Sequence, residues 1–172
     1  MLTRSFFAFA AAVTLTLIGA ETARADDVPS PNGDVILTVS GDIATTNVGD
    51  TLQFDRATLT DLGLTTIETT TIWTDGTQVF EGIPLATLVD LLGIEDGTLN
   101  ATALNDYTVE IPVSDAVEGG PIIALLLNGE EMSVRDKGPL WVVYPYDASD
   151  AYQTEVIYSR SIWQLDRIEV VE

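Results

Sequence analysis

The chain contains no cysteine and no histidine, and only 7 Lys and Arg stand against 27 Asp and Glu in 172 residues. Each shortage excludes a class of chemistry. Without thiol or imidazole, the soft and nitrogen ligands of zinc, copper, haem and iron–sulfur sites are missing. Ser–His–Asp and Cys–His catalysis are ruled out for the same reason. No disulfide can form, whatever the redox compartment. A formal net charge of −20 repels nucleic acid and anionic lipid, so neither is an expected partner. Calcium held by carboxylates stays chemically possible, but no D-x-[DN]-x-[DN]-G loop is present. With so many acids, pairs at the separation of glycosidase carboxylates arise by chance; Glu130-Glu131, after Asn128-Gly129, reads as a solvated turn.

What is present begins with a leader. Arg4 precedes an apolar stretch from Phe6 to Ala20, and Ala23-Arg24-Ala25 closes it with a small-x-small pattern. This is the layout of a secretory signal peptide over residues 1–25, cleaved after Ala25. The alternative is an uncleaved anchor, but the stretch is broken by threonines and short of the ~20 apolar residues a span wants. After cleavage no membrane insertion is expected. Residues 26–33, rich in Asp, Pro and Gly, read as a flexible mature N-terminus, and 34–172 as one domain long enough to bury a core without staples.

Periodicity divides that domain into strands and a few short helices. DVILTVSG and TLQF read as strands. DRATLTDLG reads as a short helix with Asp55 as N-cap and Gly63 as its stop. Leu64 to Trp73, dense in β-branched residues, predicts one long strand. IPLATLVDLLG is the clearest helix: Pro84 belongs to the first turn, Gly93 closes the end, and Leu85, Leu88, Val89 and Leu92 share a face. Strands flank Asn105-Asp106, and VSDAVEGG suggests a single helical turn. PIIALLL runs into Asn128-Gly129, a strong hairpin signal. GPLWVVYP and WQLDRIEVV complete the strands, and DASDAYQTE between them reads as a polar loop. The sum is a strand-dominated α+β domain.

Three stretches carry rings beside hydroxyls or cations: TTTIWTDG around Trp73, RDKGPLWVVYPYD from Arg135 to Asp147, and YSRSIW from Tyr158 to Trp163. Core packing is the ordinary role of each ring taken singly. Together they suit a flat, polar-edged heteroaromatic ligand, because rings stack and exclude water while arginine donates to a carbonyl. A nucleobase, a flavin or a pterin would fit this chemistry equally.

The motifs also carry a resemblance. Phe80-Glu81-Gly82-Ile83-Pro84-Leu85 resembles the W-x-G-V-P-L element of the sulfite-oxidase-type molybdopterin-binding domain. Asp106-Tyr107-Thr108 through Ile111-Pro112 is similar to its D-Y-x-x-x-I-P strand, and ALLLNGE (Ala124 to Glu130) to its A-x-x-M-N-G-E turn. Gly138-Pro139-Leu140 and the ending Leu165 to Val170 follow in the same order, over Val35 to Val171. The resemblance implies that family's mixed, strand-dominated α+β fold. It departs at the cofactor: family enzymes hold molybdenum through a cysteine thiolate near the position of Thr69 to Trp73, and this chain has no thiol, so a molybdenum cofactor is not expected.

TTIWTDG, GPLWVVYPYD and SRSIWQL are similar to a small exported branch of that fold, the PruR-type periplasmic pterin-binding proteins. This resemblance implies a protein that is not an enzyme. It implies binding of a reduced pterin and relay of that state to the periplasmic domain of a membrane-bound cyclic-di-GMP enzyme or sensor kinase. Carried onto these residues, Trp73, Trp163 or Tyr146 would stack on the ring. Arg135 or Arg160 would meet its carbonyl side, Asp147 or a main-chain carbonyl its amino edge, and Thr71 and Ser161 the ring or its hydroxylated tail, with Tyr144 beside them. A molybdopterin-dependent oxidoreductase, or a subunit of one, and a ligand-free interaction module remain the alternatives.

Overall fold

The computed structural model describes residues 28–171; the expected signal peptide lies outside them. Ten strands and three short α-helices follow one another: β1 (Leu37–Gly41), β2 (Leu52–Phe54), α1 (Arg56–Thr60), β3 (Thr65–Thr69), β4 (Gln78–Pro84), α2 (Leu85–Leu92), β5 (Thr98–Ala103), β6 (Thr108–Pro112), β7 (Ile122–Leu127), β8 (Glu130–Glu131), β9 (Trp141–Val143), α3 (Glu155–Arg160) and β10 (Leu165–Val171). The described residues are thus mixed α and β, dominated by strands, as the periodicity predicts.

The strands form two sheets. One runs β2-β1-β10-β5-β6; the other runs β3-β4-β7-β8, with β9 also paired to β7. β1 and β10 are parallel, Val39 opposite Ile168. The remaining strand pairs are antiparallel. β8 and β9 share one edge of β7: Leu126 and Leu127 meet β8, while Ile122 to Ala124 meet β9.

The segment before β10 stitches the sheets together. Val142 N–H donates to the Ile162 carbonyl (2.8 Å), and Leu165 N–H donates to the Leu140 carbonyl (3.0 Å). Leu104 N–H, from the β5–β6 hairpin, donates to the Gln164 carbonyl (2.9 Å). One short stretch therefore hydrogen-bonds β9 of one sheet and the hairpin of the other. Beneath it lies a continuous core in which Trp141, Tyr144, Tyr146, Phe54 and Phe80 are fully buried.

Local chemistry explains the helix ends. Asp55 caps α1: its carboxylate accepts from Thr58 N–H (2.8 Å), and its own N–H donates to Thr58 Oγ1 (3.0 Å), a reciprocal capping box. The other Asp55 oxygen accepts from Asn32 and Gly33 N–H, both at 2.8 Å. Asn47 Nδ2 holds the Pro29 carbonyl (3.1 Å). The stretch read from sequence as a tail is thus hydrogen-bonded to the domain over residues 29–33. In α2 the predicted face, Leu85, Leu88, Val89 and Leu92, is buried, each side chain contributing roughly 2 kcal/mol. Gly93 ends it at φ 72°, a left-handed conformation open to glycine at no steric cost.

Three expectations are corrected. The strand predicted from Leu64 to Trp73 ends at Thr69, because Thr70 leaves the ladder to bind Asp147 through its N–H (2.6 Å) and hydroxyl (2.7 Å). Pro84 is the last residue of β4 and the N-cap of α2, not a member of its first turn. The polar stretch after Pro145 is not simple loop: it forms 3₁₀ turns at Tyr146–Ala148 and Asp150–Tyr152 and leads into α3, capped by Thr154 Oγ1 on Ile157 N–H (3.3 Å).

Candidate functional site

Trp73 is the centre of the site. The turn that carries it is closed by Thr71, whose Oγ1 accepts from Trp73 N–H (3.0 Å) and pairs with Thr74 Oγ1 (2.7 Å). Around the Trp73 ring stand four others edge-on: Trp141 at 5.8 Å, Tyr146 at 6.2 Å, Tyr158 at 5.7 Å and Trp163 at 5.6 Å. Edge-to-face pairs at such distances are favourable beyond their buried area. They draw rings from the β3–β4 loop, β9, the turn after it, α3 and the segment before β10 into one nest.

The nest opens into a cavity of about 360 Å³, inside the roughly 300–1,000 Å³ typical of small-molecule sites. Trp73, Tyr158, Ile162 and Trp163 supply apolar wall; Tyr107 and Asn105 approach from the β5–β6 hairpin; Ser159, Ser161 and Gln164 add polar atoms. Trp163 is 38% exposed and Tyr107 57%, so rings remain free to take a further flat partner. A larger groove of about 810 Å³ lies between β3, α2 and residues 118–120. It carries the carboxylates of Glu68, Asp90 and Glu118 and no aromatic ring, so stacking chemistry belongs to the smaller cavity.

The residues singled out in the sequence divide into three groups. Trp73, Ser161 and Trp163 line the cavity. Thr71, Tyr144, Tyr146, Asp147 and Arg160 sit behind it, as supports. Tyr146 O–H donates to Ser161 Oγ (2.7 Å), which donates to the Ile157 carbonyl (2.8 Å). Burial pushes the Tyr146 phenol up to about 12. Tyr144 O–H donates to Asp115 (2.8 Å), and Arg160 meets the same carboxylate at 2.9 Å. Burial, then the bond to Asp115, raises the Tyr144 phenol far above its ordinary range. Asp147 grips Thr70 and, through its backbone N–H, Thr69 Oγ1 (3.1 Å); the Thr70 hydroxyl, then the Thr70 N–H, hold its carboxyl below the usual carboxylate range. Arg135 forms the third group alone: it is exposed on the turn before β9 and is not part of the cavity wall.

Asn105, Tyr107, Tyr158, Ser159, Ile162 and Gln164 line the cavity without having been chosen as site residues. A signal existed for some of them. Asn105 marks a predicted turn, Tyr107 lies in the D-Y-T motif, and Tyr158 and Ser159 belong to the YSRSIW stretch. Ile162 and Gln164 lie in the SRSIWQL motif, but the φ of 54° at Gln164 emerges only in the fold.

The electrostatics of the wall are distinctive for so acidic a chain. No residue lining the cavity is charged. Lys137 Nζ lies 5.2 Å from the centre of the Trp163 ring and 5.3 Å from that of Trp141, a cation–π arrangement.

The residues present do not fit a molybdenum centre. Thr69 Oγ1 is buried, accepts from Asp147 N–H and donates to the Thr70 carbonyl (3.2 Å). A committed neutral hydroxyl cannot replace a soft thiolate. Among the described residues no group of three or more Asp and Glu is placed to hold a metal ion. No protein-family model matches the chain and no curated protein matches it.

Proposed function

We propose that this chain is a periplasmic pterin-binding accessory protein of sulfite-oxidase-like fold. In this reading it binds a reduced pterin among Trp73, Trp163, Tyr158 and Tyr107 and relays occupancy to a membrane-bound signalling partner, a cyclic-di-GMP enzyme or sensor kinase. It acts by binding and not by turnover. The observation that carries the reading is the uncharged cavity of about 360 Å³ walled by rings whose faces are not all taken by one another. Such a site favours a flat molecule with polar edges. The resemblance in TTIWTDG, GPLWVVYPYD and SRSIWQL selects a pterin from that class and supplies the partner.

The test is a titration of the exported protein with dihydro- and tetrahydropterins without oxygen, followed by quenching of tryptophan fluorescence. Saturable quenching with micromolar or tighter dissociation is expected, together with release of a pterin, identified by mass, on denaturing the protein as isolated. Absence of both overturns the reading. The relay is tested by activity of the full-length membrane partner with loaded and empty protein; equal activities remove it.

A further inference from the structure

Two side-chain amides on the cavity wall each take part in one hydrogen bond of the fold. Asn105 Oδ1 accepts from Tyr107 N–H (3.2 Å), which turns Nδ2 to the remaining side with no partner among the described residues. Gln164 Nε2 donates one hydrogen to the Val134 carbonyl (2.6 Å), which leaves Oε1 and the second Nε2 hydrogen unused. An amide offers one acceptor and two donors, so Asn105 keeps both of its donors for a ligand and Gln164 keeps its acceptor. Backbone pairing keeps the two close, since Leu104 N–H binds the Gln164 carbonyl at 2.9 Å.

The same wall has no charge to offer. Arg160 is held by Asp115 at 2.9 Å, Arg167 is held by Asp106 and Asp166, and Lys137 is spread over two indole faces. The surrounding chain carries a net −20, which opposes entry of an anion.

We infer that the cavity takes an uncharged heterocycle presenting a carbonyl beside a ring N–H, with Asn105 donating to the carbonyl and Gln164 accepting from the N–H. This rests on the binding function proposed above and names which edge is read and by which residues. A 4-oxo pterin carries such an edge; a 2,4-diamino pteridine carries its inverse, an amino donor beside a ring nitrogen acceptor. A phosphate ester of the ligand adds charge that nothing on the wall neutralises.

The experiment compares 6-methyltetrahydropterin with its 2,4-diamino counterpart, anaerobically, on the mature protein and on Asn105→Asp and Gln164→Met. Asn105→Asp keeps the acceptor for Tyr107 N–H and loses both donors. The native protein is expected to prefer the 4-oxo compound by about ten-fold or more, the worth of one or two hydrogen bonds. Asn105→Asp should invert the order, and Gln164→Met should weaken the 4-oxo compound about ten-fold. Thermal midpoints of the three proteins separate lost contacts from lost folding. A 6-hydroxymethyl-7,8-dihydropterin should likewise bind at least ten-fold more tightly than its diphosphate at low salt. Equal binding of 4-oxo and 2,4-diamino compounds, or of alcohol and diphosphate, overturns this inference while the binding function stands. Failure of every compound to bind overturns both.

Discussion

Trp163 stands perpendicular to Trp141, ring centres 6.4 Å apart, across an isolated antiparallel bridge between the two residues. Their surroundings separate their roles. Trp141 is fully buried, and its Nε1 donates to the Ser161 carbonyl (3.2 Å); Trp163 keeps 38% of its surface open. Trp141→Ala should therefore cost about 3–5 kcal/mol in urea unfolding. Trp163→Ala should cost about 1 kcal/mol yet weaken pterin binding more than ten-fold. Equal stability losses with unchanged affinity would return both rings to the core and support a ligand-free module.

Arg160 tests whether the support group touches ligand. Its guanidinium and Tyr144 O–H converge on Asp115, a partly buried cluster. Asp115→Ala should lower stability by roughly 2 kcal/mol, because a phenol and a guanidinium lose their charged partner together. Arg160→Gln should lower it less, and a double-mutant cycle should show coupling of about 1 kcal/mol. Pterin affinity should move less than three-fold in both. A larger shift in Arg160→Gln alone would put the guanidinium at the ligand after all.

Tyr146 predicts a pH effect on the alkaline side. Burial lifts its folded value to about 12, above the ordinary phenol value of about 10. The protonated form is favoured by the fold, so this contribution is complete below pH 10. It is lost as pH rises from about 10 to 12, where the unfolded chain releases its proton first. Tyr146→Phe removes the effect, along with the bond to Ser161 that is worth about 1 kcal/mol at neutral pH. Urea midpoints at pH 9, 10 and 11 should fall less steeply in Tyr146→Phe than in the native chain; parallel slopes would contradict the assignment.

Gly82 is fixed by close approach. It pairs with Ala124 at a register shift in β4, and an added Cβ would lie 2.1 Å from the Ile123 carbonyl oxygen and 2.5 Å from Ala124 Cα. All of these near atoms are β7 backbone, which leaves no flexible group to yield. Gly82→Ala should cost more than about 2 kcal/mol, seen as a lowered urea midpoint, and should loosen the β4–β7 ladder in hydrogen exchange.

Legibility followed the range of the interactions. Asp55, Gly93 and Asn128-Gly129 act on residues a few positions away, and their caps and turn stand where the local pattern puts them. β3 was drawn too long because what ends it is Asp147, 77 residues distant from Thr70; β-branched composition carries no sign of that clamp. α3 was missed because its six residues mix β-branched and aromatic side chains and are too few for a period to emerge. The rings of the site were readable as rings, but their division into wall and support was not. Tyr146 and Trp163 look alike in a string, and only the packing buries one and opens the other. Asn105 and Gln164 come to one cavity wall through the bond of Leu104 N–H to the Gln164 carbonyl, which no local pattern encodes.

The pairing of β1 with β10 bears on the order of events as the chain is made. Thr38 and Arg167 are neighbours, and β10 sits in the middle of its sheet, with β1 on one side and β5 on the other. During synthesis the strands flanking that gap emerge long before the strand that fills it. Until then β1 and β5 each keep an open edge, and neither the sheet nor the stitch at Ile162 to Leu165 can close. Such distant pairing slows folding. A nascent chain of this protein therefore stays threadable until its final strand is available, and the cavity built on that stitch is the last part of the molecule to come into being.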